Sequence, residues 1–225
     1  MGREVRWRKA QAAELQFWKT WRRIPVYRNV HFEDYWRDQM ELLGIGPETV
    51  SGKNVLDVGC GPFGIVNFLP AGGTRWAIDP LLHRYSERFA APGVCFCSAR
   101  GELLPFPSES MDVVFCFNVL DHVSDPEAVL REVYRVLRPA AQLHLMVHTF
   151  PFWLKRLLFF DRPHTYHWSR RDLRELLQTA GFHPSREFHR RRNFELRPSD
   201  YFRPSLWRYA AGSLVITSSY CTAQK

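Results

Sequence analysis

The chain has 225 residues, 45% of them hydrophobic, which suits one globular domain with a modest extension and argues against an intrinsically disordered chain. The formal net charge of +8 favours an anionic small molecule, a membrane surface or a nucleic acid as partner, although an arginine-rich solvated surface explains it equally well. No apolar run could span a bilayer, no signal-peptide core is present, and the five cysteines lack zinc-site spacing, so the sequence predicts a cytoplasmic, reduced protein.

Two helices are predicted before the first strand, over residues 3–23 and 32–43, and they make residues 1–49 an N-terminal helical cap. The aromatic fraction of 15% exceeds ordinary core needs and indicates an aromatic-lined pocket. Two roles are open for the aromatic side chains of the cap. They form a lid over the binding edge of a sheet, or they only pack against that sheet, which we favour for most of them.

Strands and helices alternate along the rest of the chain, which predicts a mostly parallel sheet with helices on both faces. The nearly all-apolar run at 111–117 is typical of a central strand that is covered on both faces. Strands are predicted over 54–58, 74–78, 94–97, 111–117, 142–147 and 213–219, and helices over 65–69, 84–89, 125–137 and 169–180.

The first predicted strand ends in an acid and runs straight into a glycine-rich turn. Gly59, Gly61 and Gly64 have the G-x-G-x-x-G spacing that lets a backbone approach a nucleotide closely. Asp57 stands at the carboxyl end of the strand, where a carboxylate repels a pyrophosphate and attracts a cation. Asp79 ends the second strand, where an acid accepts hydrogen bonds from a ribose diol. A cationic nucleoside is therefore favoured over a dinucleotide.

Several further motifs occur in the order and spacing of one known family. They read VLDVGCGPFG, AIDP, GELLPF, MDVVFCFNVLDHVSDP, EVYRVLRP and WSRRDLRELLQTAGF, and they cover roughly residues 50–185. The chain thus resembles the class I S-adenosylmethionine-dependent methyltransferases, and among them the small type-11-like group with the LPFPxxSFD pattern. The resemblance implies a Rossmann-like α/β fold with a doubly wound, mostly parallel seven-stranded sheet. It also implies that residues 50–225 form the cofactor-binding domain, with a substrate-loop insertion at about 149–168.

The resemblance implies roles for individual residues. The glycine turn holds the methionine end of the cofactor, Asp79 the ribose, and the turn at Gly101 the adenine edge. The end of the fourth strand lies beside the methyl group. The residues predicted to bind S-adenosylmethionine, and its product S-adenosylhomocysteine, are Asp57, Gly59, Cys60, Gly61, Asp79, Pro80, Leu81, Gly101, Glu102, Leu103, Asn118 and Val119.

Two departures from the family pattern affect these expectations. Arg100 stands where the family usually has the acid that pairs with the adenine amine, and a guanidinium cannot accept that hydrogen bond. Glu102, a backbone carbonyl or packing alone must then hold the adenine. The segment Arg138–Ala141 replaces the usual Pro-Gly-Gly, and because alanine disfavours positive φ, the turn is predicted to be altered or slightly strained.

Candidate catalytic residues follow the strands that end near the methyl group. Methyl transfer depends mainly on alignment, and a base helps only when the acceptor is protonated. Asp121, His122 and His148 are the candidates for a base, although His122 could instead brace its own loop. His164 and His167 resemble a metal pair, but because the sequence places no third ligand, no metal is predicted.

The acceptor is the least determined part of the sequence-based prediction. We expect O- or N-methylation of a small molecule such as a sugar, a lipid-linked compound or a natural product. An anionic or amphiphilic acceptor and peripheral membrane contact stay open, because residues 150–160 are aromatic and basic and arginines follow His189. A nucleic-acid acceptor is disfavoured, since no proline-proline-aromatic motif follows Asn118. The alternatives are a catalytically silent S-adenosylmethionine-binding partner protein and a nicotinamide oxidoreductase.

Overall fold

The structure, a computed structural model, describes residues 2–27, 29–155, 164–191 and 216–225. The helices within these residues are α1 (Arg3–Thr20), α2 (Phe32–Leu43), α3 (Pro47–Val50), α4 (Pro126–Val136), α5 (Phe152–Lys155) and α6 (Arg170–Thr179). The strands are β1 (Asn54–Val58), β2 (Thr74–Ile78), β3 (Val94–Cys97), β4 (Met111–Phe117), β5 (Leu137–Thr149), β6 (His183–Arg191) and β7 (Thr217–Gln224).

The seven strands form one sheet in the order β3-β2-β1-β4-β5-β7-β6. The first five are parallel, and β7 runs antiparallel between β5 and β6. This arrangement confirms the predicted Rossmann-like, mostly parallel sheet. Because the parallel strands all end at one edge, the loops that follow them meet there, and ligands bind at this edge in open α/β sheets.

Both faces of the sheet are covered, as the apolar run at 111–117 predicts. Alternate residues of β4 enter opposite cores: Val114 and Cys116 join the cluster that includes α4 and α6, whereas Val113 and Phe115 join the cluster that includes α2. The cap helix α2 seals its face through Trp36, whose indole N–H donates to the Phe63 carbonyl over 2.6 Å. No helix in the described ranges is both long enough and apolar enough to cross a lipid bilayer.

Two predicted helices are absent from the described structure. Within 65–69 only Ile65–Asn67 form a 3-10 turn, because the Asn67 amide donates to the Gly64 carbonyl and Pro70 disfavours helix in the residue before it. Residues 84–89 are also not helical, since only Leu82–Arg84 forms a 3-10 turn. The backbone N–H of Phe89 donates to the Pro62 carbonyl rather than to a helical partner, which ties this segment to the glycine turn.

The carboxyl-terminal strands differ from the prediction. Strand β6 was missed because its sequence is polar and contains Pro184, features that suit an exposed edge strand. His189, after which the sequence becomes basic, lies in β6, where its Nδ1 is 3.0 Å from Ser219 Oγ. Strand β7 runs from Thr217 to Gln224, five residues beyond the predicted end, and it pairs on both sides; residues 213–215 of the predicted strand lie outside the described ranges. Residues 192–215, which include most of the basic segment, lie outside the described ranges.

The turn inside β5 carries the strain that its sequence predicts. Ala140 has φ of 62°, a left-handed conformation that L side chains disfavour. We expect Ala140→Gly to raise the free energy of unfolding by about 1 kcal/mol, because the relieved strain exceeds the added entropy of the unfolded chain. Urea unfolding measures this change in the free energy of unfolding, and Ala141→Gly is the control variant. Ala141 is buried without positive φ, so its replacement should destabilise instead; a loss of stability in both variants would contradict the prediction.

Candidate functional site

A cavity of about 860 Å³ lies where the parallel strands end, and α1 covers it. One face of α1 supplies Trp7, Gln11, Glu14 and Trp18 to its wall, and this helical spacing was a sequence signal that the prediction overlooked. The aromatic residues lining the cavity are Trp7, Phe17, Trp18, Trp21, Tyr27, Phe32, Tyr35, Trp36, Phe63, Tyr85, Phe117 and Phe150. The favoured prediction that most rings of the cap only pack against the sheet is therefore wrong.

The glycine turn after β1 forms the floor of the cavity. Gly59 has φ of 69°, and a Cβ at this position would lie 2.5 Å from Val119 Cγ2. The backbone N–H groups of Gly59 and Cys60 donate to the Ile78 carbonyl over 2.8 and 3.0 Å, which ties the turn to the end of β2. The turn thus places bare backbone against the cavity, as a close approach by a nucleoside ligand requires.

Asp79 is a buried carboxylate that faces the cavity beside this turn. Its Oδ2 accepts from the Gly61 N–H over 3.1 Å, and its Oδ1 accepts from the Leu81 N–H and the Tyr85 hydroxyl. Burial raises the pKa of Asp79 to about 6, although these hydrogen bonds favour the ionised form. A carboxylate has about four acceptor positions and three are used here, so one is open to a ribose hydroxyl, and displacement of the Tyr85 hydroxyl would free a second.

Asp57 does not line the cavity, although a direct contact with a cationic ligand, as predicted, requires that it does. It lies beneath the glycine turn rather than on the cavity wall, and its Oδ2 accepts from the Val66 N–H over 3.3 Å. Burial raises the pKa of Asp57 to about 7, and the nearby Asp79 adds to the rise. Asp57 therefore supports the turn from below.

Most of the residues predicted to bind the cofactor meet at the cavity. Asp57, Leu81 and Leu103 are the three that do not line it, and Leu103 points to solvent with 77% of its surface exposed. The predicted residues that line the cavity are Gly59, Cys60, Gly61, Asp79, Pro80, Gly101, Glu102, Asn118 and Val119.

Arg100 and Glu102 have partners of their own at the end of the cavity that is predicted to hold the adenine. The Arg100 guanidinium stacks on the Trp7 ring at 3.7 Å and donates to Ser124 Oγ. Glu102 Oε1 accepts from the backbone N–H and the hydroxyl of Ser124, over 2.8 and 2.7 Å. Glu102 thus braces the loop after β4, which favours a backbone carbonyl or packing, rather than Glu102, as the contact to an adenine.

The candidate catalytic residues line the cavity on the side of β4 and β5. His122 Nε2 lies 3.8 Å from Asp121 Oδ2, and its Nδ1 lies 3.9 Å from Glu14 Oε2 of α1. His148 Nδ1 lies 3.2 Å from Ser218 Oγ. His164, which the sequence grouped with His167, lies with Asp121 and His122 instead, its Nε2 3.8 Å from Asp121 Oδ2.

Comparisons with known proteins agree with this geometry. Residues 56–145 match the family model described as a methyltransferase domain. The chain is 29% identical over 138 residues to a tRNA U34 carboxymethyltransferase of Campylobacter curvus, covering 56% of this chain and 46% of that protein. It is 37% identical over 107 residues to a thiol S-methyltransferase of Homo sapiens, covering 44% of each. A geranyl diphosphate C-methyltransferase from Streptomyces coelicolor superposes with a TM-score of 0.61 at 14% identity, covering 84% of this chain and 78% of the other.

These relatives leave the acceptor open. The matches span less than half of the length of the two curated proteins, and the superposed structure is similar in fold alone. The three names describe three different acceptors: a tRNA, a thiol and a prenyl diphosphate. The acceptor of this chain must therefore be argued from its own cavity.

Proposed function

We propose that the chain is a class I S-adenosylmethionine-dependent methyltransferase and that it methylates an oxygen or nitrogen of a small, largely apolar acceptor; the match of residues 56–145 to a methyltransferase domain supports this. S-adenosylmethionine supplies a methyl group on a cationic sulfur, which is already activated for displacement. The protein's task is then to align the acceptor and to keep water out, and alignment alone is worth about 7–11 kcal/mol of barrier in favourable cases.

The observation that carries the proposal is the junction between the glycine turn and Asp79. The Gly61 N–H joins them over 3.1 Å, so bare backbone and a buried carboxylate face the same cavity. At the end of β4, Asn118 Oδ1 is buried without a hydrogen-bond partner among the described residues. A nucleoside with a diol and an amino-acid tail matches this set of donors and acceptors.

The walls of the cavity support an apolar acceptor. Twelve aromatic residues line it, and offset or edge-on ring packing favours flat apolar molecules. Arg100 is the single arginine among the described lining residues, and no lysine is among them, whereas four acids line the cavity: Glu14, Asp79, Glu102 and Asp121. Among the described lining residues acidic side chains therefore outnumber basic ones, which argues against an anionic acceptor.

Asp121, His122 and His148 are the residues we propose to contact the reacting end of the acceptor. They line the cavity where β4 and β5 end, beside Asn118 and Val119. Helix α1 contacts this loop through Gln11, whose side-chain amide donates a hydrogen bond to the His122 carbonyl over 3.2 Å. The cap thereby helps to position these side chains and to exclude water from the site.

The proposal predicts that the purified chain binds S-adenosylhomocysteine but not NAD in isothermal titration. In a screen with S-adenosylmethionine, apolar phenols and amines should yield S-adenosylhomocysteine, whereas hydrophilic sugars and tRNA should not. Preferential binding of NAD would contradict the methyltransferase proposal in favour of an oxidoreductase. Cofactor binding without turnover of any acceptor would instead favour a catalytically silent binding protein, and turnover of tRNA alone would contradict the acceptor class.

A further inference from the structure

Three potential metal ligands converge at one end of the cavity. Asp121, His122 and His164 each offer one ligand atom, and these atoms all lie within 4.8 Å of one another. Both histidine Nε2 atoms are 3.8 Å from Asp121 Oδ2. Donor atoms around a tetrahedral zinc ion are roughly 3.4 Å apart, so small side-chain rotations would complete the geometry.

The burial of Asp121 indicates that the cluster is incomplete as it stands. Only 4% of the side chain is exposed, yet its Oδ1 accepts no hydrogen bond from any described residue. His122 Nδ1 is likewise buried without a hydrogen-bond partner in the described structure. A buried carboxylate normally has a cation or hydrogen-bond donors beside it, so a positive group is expected at this point.

The surroundings hold the three side chains in place from separate elements. The backbone N–H of Thr165 donates to the Asp121 carbonyl over 2.7 Å, which fixes His164 beside the loop after β4. Glu14 Oε2 faces His122 Nδ1 at 3.9 Å, and the Trp18 indole holds the other Glu14 oxygen at 2.7 Å. A carboxylate that accepts a hydrogen bond from the other ring nitrogen is the usual outer support of a metal-binding imidazole, and a small shift of Glu14 toward Nδ1 would provide it.

We propose that Asp121, His122 and His164 bind a divalent transition-metal ion of the zinc or iron(II) type. Two imidazoles and one carboxylate suit these ions rather than magnesium or calcium, which prefer oxygen ligands. All three residues line the cavity, so the remaining coordination positions face the acceptor space, as they do in catalytic metal sites. This set differs from the His164–His167 pair considered from sequence, whose ring centroids are 6.1 Å apart.

The ion would bind the heteroatom of the acceptor and stabilise its deprotonated form, with the proton released to solvent. This role rests on the proposed methyl transfer, whereas binding of the ion does not. His122 then acts as a ligand through Nε2 rather than as a base.

The test is zinc binding by the untagged, chelator-stripped full chain, measured by equilibrium dialysis with zinc quantification and without cofactor. We expect one Zn²⁺ per chain, and affinity reduced at least about a hundredfold in Asp121→Asn and in His164→Gln. Glu14→Gln should weaken binding about tenfold, because it removes the outer support rather than a ligand. His83→Gln and His167→Gln are the matched controls and should bind zinc like the unaltered chain.

The site would be overturned by the absence of stoichiometric zinc in the unaltered chain, or by zinc retained in both ligand variants. Loss of zinc in His167→Gln with retention in Asp121→Asn would overturn it in favour of the histidine pair. S-adenosylhomocysteine binding and thermal unfolding of the stripped variants serve as folding checks. They also separate the two proposals, because loss of S-adenosylhomocysteine binding with zinc intact contradicts only the methyltransferase assignment.

Discussion

Asp79→Ala is expected to weaken S-adenosylhomocysteine binding by about a thousandfold, or about 4 kcal/mol. The carboxylate faces the cavity at the end of β2, where it can accept two hydroxyl hydrogen bonds from a diol that displaces the Tyr85 hydroxyl. Hydrogen bonds to a charged group contribute about 1.5–3 kcal/mol each, and alanine replaces neither of them. Alanine also frees the Gly61 N–H that Asp79 holds at 3.1 Å, which loosens the glycine turn.

Isothermal titration at pH 8, where Asp79 is ionised, measures this loss. Asp79→Asn should fall between alanine and the unaltered chain, because an amide oxygen still accepts one hydrogen bond. Asp112→Asn is the matched control: its carboxylate accepts from the Asn54 N–H at the opposite end of the sheet, far from the cavity. Affinity within about threefold of the unaltered chain in Asp79→Ala would contradict the assigned role, since it is below the contribution of one hydrogen bond.

The strands of the parallel half could be predicted closely because local pattern decides them. β1, β2, β3 and β4 have the predicted bounds, since each is a short apolar run between turn residues. The segment after β2 could not be predicted in the same way. Its sequence pattern is helical, but the segment instead makes a tertiary hydrogen bond, which the Phe89 N–H donates to the Pro62 carbonyl. Strand β6 has the opposite problem, because an edge strand has no apolar pattern to detect.

The candidate site likewise has a part that could be predicted from the sequence and a part that could not. Gly59 and Asp79 were found because the ends of neighbouring parallel strands meet at one edge. The side to which Asp57 points depends on how the turn folds back over it, and no residue spacing contains that information. The approach of His164 to Asp121 depends on a backbone hydrogen bond between distant segments, so the sequence could pair His164 only with its neighbour His167.

Asp57→Asn is expected to stabilise the protein, and increasingly so as the pH rises. Burial raises the pKa of Asp57 from 3.8 to about 7, so the folded state holds a proton that the unfolded state has already released. The stability that this group contributes is complete below pH 3.8 and declines until the folded form ionises near pH 7. Asparagine does not titrate, and its amide oxygen can still accept from the Val66 N–H.

Urea unfolding of the unaltered chain and of Asp57→Asn is measured at pH 5 and pH 8. The difference in unfolding free energy between the two proteins is then compared at the two pH values, so any change in packing that is independent of pH cancels. The advantage of Asp57→Asn in unfolding free energy should grow by about 2–3 kcal/mol between the two pH values. Asp112→Asn is again the control, because Arg138 and the Asn54 N–H lower the pKa of Asp112 and its contribution is therefore constant over this range. An advantage that does not grow with pH would mean that Asp57 ionises normally beneath the turn. A growing advantage would mean that the fold carries this carboxylate beneath the glycine turn at the expense of stability.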